Sequence, residues 1–80
     1  MRAAQRRVSE LEAEIQELER RIGEVTAQLE DPELYVAADG AGRAAGLGRE
    51  MEEFKRRLDR LLDEWGKATE HADTLAGRSP

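Results

Sequence analysis

Eighty residues make one domain at most, and a chain of this size buries only about 60% of its unfolded surface, so any core is thin. Apolar and charged residues each contribute 39%, with three aromatics and a net charge of −5; that balance excludes a conventional globular core, and the acidity argues against a general polyanion binder while allowing a local basic face. No cysteine is present, which excludes disulfides and thiolate metal sites, and no apolar run approaches the roughly 18–20 residues of a membrane span.

In chain order, Met1, Arg2, Arg6 and Arg7 lead into a charged amphipathic helix rather than the apolar block of a signal peptide, so a cytoplasmic location is expected. Helix one is predicted over residues 3–30. Val8, Leu11, Ile15, Leu18, Ile22, Val25 and Leu29 alternate at spacings of three and four, a heptad seam that needs another helix as partner. Asp31-Pro32 ends it, because proline lacks an N–H and pushes the residue before it out of the α region. Asp31 can cap a short new turn with Pro32 at its first position and Glu33 beside the positive end of the dipole.

Residues 31–46 read as a connector, with Gly40, Gly42 and Gly46 in or beside it and Gly48 just after. Glycine in a helix costs about 1 kcal/mol relative to alanine, so helix two is expected to be weak before Leu47 and firm from there to residue 70. Its seam is Leu47, Met51, Phe54, Leu58, Leu61 and Trp65, continuing through Ala68 and Ala72 to Leu75. Residues 76–80 read as a disordered tail. Two seams in so short a chain supply each other's partner. The predicted fold is all-α: a two-helix antiparallel coiled-coil hairpin over residues 1–75, with a Pro-containing turn near residues 31–39.

Charge suggests a register in which Ile22 faces Leu47, Leu18 faces Met51, Ile15 faces Phe54, Leu11 faces Leu58 and Val8 faces Leu61. The flanks then pair Arg21 with Glu50, Glu14 with Arg57, Arg7 with Glu64 and Glu12 with Lys55, whereas a shift of one heptad sets Arg21 by Arg57 and Glu14 by Glu64. Each exposed pair is worth about 0.2–1 kcal/mol, enough in sum to select between registers. One feature points elsewhere: β-branched residues at one core position and leucine at the other suit a parallel dimer, so a homodimeric coiled coil stays open beside the monomeric hairpin.

Catalytic motifs are missing. Gly40-Ala-Gly42-Arg-Ala-Ala45 fits a loose dinucleotide pattern without the strand such a site requires, and Gly66-Lys67 lacks the rest of a phosphate loop. His71, the sole histidine, has no companions for a metal site, and the carboxylates belong to solvated helix faces. Trp65 reads as a core residue near the open end of the hairpin. No enzyme, metal or cofactor is expected from this chain. One surface pattern stands out: Arg49, Arg56, Arg60 and Lys67 fall close to one line, nearly opposite the second seam. A cationic ridge can track phosphates, with Arg20 and Arg21 on helix one as further candidates; the plainer reading is a solvated helix back flanked by Glu52, Glu53 and Asp63.

Leu18-Glu-Arg-Arg-Ile22, then Gln28-Leu-Glu-Asp-Pro-Glu-Leu-Tyr35, and Glu64-Trp65 after the second helix resemble the C-terminal coiled-coil domain of the ABC-F class, the duplicated-ATPase ABC proteins without membrane spans. The likeness covers about residues 6–70; its most specific part is the Asp-Pro-Glu-Leu-Tyr turn between heptad helices. Two departures are the glycine-rich stretch from Gly40 to Gly48, usually more helical in the family, and acidic Glu64 where arginine is typical. The resemblance implies an accessory domain of an ATPase that acts on ribosomes or DNA. Its expected role is backbone binding to DNA or ribosomal RNA. The alternative is a structural coiled coil docking on its own ATPase cassettes or a partner.

Overall fold

The computed structural model describes residues 2–77, which form three helices: α1 (Arg2–Glu30), α2 (Pro32–Val36) and α3 (Gly40–Gly77). The protein is all-α, with an elongated envelope of 65 × 15 × 14 Å. The first break follows the local chemistry. Asp31 is extended (φ −73°, ψ 116°), and its carboxylate accepts the Glu33 N–H at 3.0 Å, with Pro32 at the first helical position. The turn closes when the Ala37 N–H donates to the Glu33 carbonyl at 3.2 Å.

The second junction differs from the sequence expectation. The connector does not extend to residue 46: α3 starts at Gly40 and carries all of the glycine-rich stretch in helical form. The Asp39 carbonyl accepts the Arg43 N–H at 3.1 Å to open the ladder, with an acidic side chain at the positive end of the dipole. Packing outweighs the glycine penalty here, since Gly40 is buried and Ala44, Leu47 and Met51 are half-buried, while Val25 and Leu34 are buried at the same end. Helix two also continues past residue 70 to Gly77, so residues 76 and 77 of the expected tail are helical; residues 78–80 lie outside the described residues. Ala68, Ala72 and Leu75 continue the half-buried stripe and account for the extra turns.

The centre of the α1–α3 packing is a thin cluster, separate from Val25 and Leu34. Leu11, Ile15, Leu18 and Leu61 are buried, and Ile22, Phe54, Leu58, Trp65 and Ala68 pack against them. Val8, Leu47 and Met51 are half-buried on the same two stripes. Higher positions on α1 meet lower ones on α3: Val8 shares a groove with Thr69 and Ala72, Ile15 with Leu62 and Trp65, and Leu18 with Leu61.

These neighbours set α3 about one heptad further along than the charge-based register. Val8 does not sit against Leu61, nor Leu18 against Met51 in the central cluster. Two magnitudes explain the shift. Exposed ion pairs contribute about 0.2–1 kcal/mol each, whereas fully burying a large apolar side chain contributes about 1.5–3 kcal/mol. The shifted register brings Trp65 beside Ile15, and Trp65 and Ala68 both pack on the central cluster. The repulsion feared between Arg21 and Arg57 is relieved, because the groove they share is also lined by Glu14 and Glu17. Arg21 is bonded to Glu17, not Glu50, at 3.2 Å. The Arg7–Glu64 pair forms at 3.0 Å even so, because the long arginine reaches along the helix.

Candidate nucleic-acid interface

All six candidate cations are exposed, but their surroundings divide them. Arg49, Arg56 and Arg60 lie on one face of α3, where spacings of seven and four bring side chains into line, and they rim one shallow groove with Glu50, Glu52 and Glu53. Arg49 and Arg60 have no ion-pair partner among the described residues. Arg56 is held loosely, 3.9 Å from Glu52. Lys67 stands in a separate depression beside Leu62 and Glu70, bonded to Asp63 at 3.1 Å.

Arg20 and Arg21 are committed within α1. Arg20 donates to Glu17 at 2.7 and 3.0 Å and also to Glu24, and Arg21 donates to the same Glu17. Hydrogen bonds from Arg20 first, and then from Arg21, lower the Glu17 pKa from 4.5 to about 2. Glu17 in turn raises the Arg20 pKa further above its ordinary value. A phosphate at this site would compete with carboxylates already in place. The signal was present in the chain: Glu17 precedes Arg20 and Arg21 by three and four residues, and Arg20 precedes Glu24 by four, the spacings at which helical charges meet. Asp63–Lys67 and Glu52–Arg56 follow the same rule.

Sequence reasoning paired Arg57 with Glu14 and did not offer it as a phosphate contact; it lines a groove with Arg21, Glu14 and Glu17 and has no ion-pair partner among the described residues. His71 is exposed, and among the described residues no group of His, Cys, Asp or Glu is arranged to hold a metal ion. The Gly40–Ala45 run is the first turn of α3 and does not form a loop. Trp65 is half-buried on the central cluster, its indole N–H buried without a partner among the described residues.

The geometry is that of an elongated helical surface whose α3 carries a groove rimmed by three arginines. The family model for the ABC transporter C-terminal domain matches residues 2–68, most of the chain. The chain belongs to this family. It is therefore an accessory C-terminal domain of the kind found in ABC-F-type proteins, and not a catalytic ATPase domain. No curated protein and no solved structure matches the chain. The matched span of this C-terminal domain takes in α1, α2 and α3 as far as Ala68, and so includes all six candidate cations. No helix among the described residues is long and apolar enough to cross a membrane.

Proposed function

We propose that the chain is a monomeric antiparallel coiled-coil hairpin of a cytoplasmic ABC-F-type ATPase, and that it contributes binding to DNA or ribosomal RNA backbones. The observation that carries this reading is the common groove of Arg49, Arg56 and Arg60, with two of its three guanidiniums unpaired. Arginine's planar fork suits bidentate contact with phosphate. From Arg49 to Arg60 the rise along the helix is about 17 Å, which suits contact with more than one phosphate. No device for base readout accompanies it, so the contact is with backbone and not with sequence.

A second reading is that the hairpin docks on its own ATPase cassettes or on a partner helix. It is favoured by the internal pairing of Arg20, Arg21 and Lys67, which leaves much of the surface charge already satisfied. Titration of labelled duplex DNA and structured RNA at several salt concentrations separates the two. Backbone binding requires affinity that falls with salt at a slope of about −0.9 per contact on duplex DNA. The absence of binding to either nucleic acid at low salt favours the docking reading.

A further inference from the structure

We propose that the α2 tip is a docking knob for a basic protein surface that carries an apolar hollow. Val36 is 84% exposed and Tyr35 59%, the two most exposed large apolar side chains among the described residues, and they are adjacent. Both stand on α2, whose inner face is spent on Leu34, buried near the start of α3. The backbone of the turn is made by the Asp31 cap, Pro32 and the bonds of Ala37 and Gly40, and it leaves the Val36 side chain and much of the Tyr35 ring exposed.

Tyr35 is held in place before any partner arrives. Its hydroxyl donates to the Leu29 carbonyl oxygen near the end of α1, which fixes the ring. A fixed aromatic loses little side-chain freedom on binding, a property of residues that dominate interface energies. Charge around the pair has one sign. Glu30, Asp31, Glu33 and Asp39 are exposed here, and the one nearby cation, Arg43, sits 3.9 Å from Asp39. That ring repels phosphate, so the tip is not an extension of the arginine groove on α3; it complements lysines or arginines set around an apolar hollow. Two side chains cover far less than the roughly 1,200 Å² of a stable interface, so contact through the tip alone is weak and reversible.

The test uses the isotopically labelled 80-residue chain and three probes: a synthetic amphipathic helical peptide with arginines around a Leu–Phe patch, its acidic counterpart, and duplex DNA. The basic peptide should shift amide resonances of residues 31–43, and the acidic peptide should not. Val36→Ser and Tyr35→Ser should each weaken peptide binding about tenfold or more with helicity unchanged. The proposal is overturned by no response at about 1 mM peptide, by shifts spread evenly over α1 and α3, by a tip that responds to DNA, or by Val36→Ser binding as the parent does. None of these outcomes bears on the arginine groove, whose reading stands or falls separately.

Discussion

Gly40 approaches Leu34 so closely that a Cβ built on the glycine would lie 1.8 Å from the Leu34 carbonyl oxygen and 3.0 Å from its carbon. Neither atom belongs to a flexible side chain, so relief would require moving α2 or the start of α3. Gly42 and Gly48 occupy the same helical stretch, yet a Cβ at either would meet nothing within 4 Å. The glycines therefore divide by sign. Gly40→Ala should destabilise the protein by about 1–3 kcal/mol, as overpacking does. Gly42→Ala and Gly48→Ala should each stabilise it by about 0.5–1 kcal/mol, through helix propensity and lost freedom in the unfolded chain. Urea denaturation followed by circular dichroism reads all three; a stabilising Gly40→Ala would refute the close approach.

Among the described residues, Leu11 is the one large side chain with no exposure at all. Leu11→Ala should cost about 2–5 kcal/mol, a large part of the roughly 5–15 kcal/mol that holds a domain together. Ile15→Ala and Leu58→Ala should fall in the same range or just below it, and Val36→Ala should cost almost nothing. A cost at Leu11 no larger than at Val36 would mean that the cluster is not the core. Arg7 and Glu64 are each about half-exposed, so their coupling in a double-mutant cycle should be small, about 0.2–1 kcal/mol.

Much of this architecture was legible from spacing and turn chemistry. The stripes through Leu11, Ile15 and Leu18 and through Leu58, Leu61 and Trp65 needed only periodicity, and the α2 turn needed only Asp31-Pro32-Glu33. The start of α3 was not legible, because propensity counts the glycines while burial beside Val25 and Leu34 decides the outcome. The register was missed for a related reason. Cross-helix charges were counted as though unpaired, although Glu17 already neutralised Arg20 and Arg21 within α1. The same pairing within helices sets Lys67 apart from Arg49 and Arg60 on the α3 ridge, and leaves Arg20 and Arg21, the further candidates on α1, committed to carboxylates.

The Glu17 network gives a signed pH dependence. Its folded pKa of about 2 lies below the ordinary 4.5, so the carboxylate adds stability above the unfolded value and loses it as pH falls through the folded one. Glu17→Gln removes that contribution at all pH values. The melting temperatures of parent and variant should therefore differ most above pH 4.5, and the gap should close between 4.5 and about 2. The other carboxylates titrate in both proteins and cancel from the difference. A gap that stays constant, or widens on acidification, would show that Glu17 is not held by the two arginines. Exposure of this network to solvent keeps the effect small, and added salt should shrink it further.

Ion pairing within the helices decides which cations are free to meet phosphate. On sequence alone, the four cations of the α3 ridge lead and Arg20 and Arg21 follow as further candidates. Ion pairing then ranks them: Arg49 and Arg60 are unpaired, Arg56 is 3.9 Å from its carboxylate, Lys67 is bonded at 3.1 Å, and Arg20 and Arg21 share Glu17. A phosphate reaching Arg20 must first displace Glu17, so binding there returns little free energy, whereas Arg49 and Arg60 exchange only water. If the chain binds duplex DNA, Arg49→Ala with Arg60→Ala should weaken binding strongly and reduce the salt slope by about 1.8, corresponding to two lost phosphate contacts. Arg20→Ala with Arg21→Ala removes the same formal charge, so it controls for net charge alone. That control should leave the slope nearly unchanged, although it costs helix stability through the lost pairs with Glu17 and Glu24. Arg56→Glu with Arg60→Glu adds repulsion on the same face and should abolish binding with helicity intact. Equal slopes for the two alanine pairs would mean that the interaction follows net charge and that the α3 groove has no special part in it.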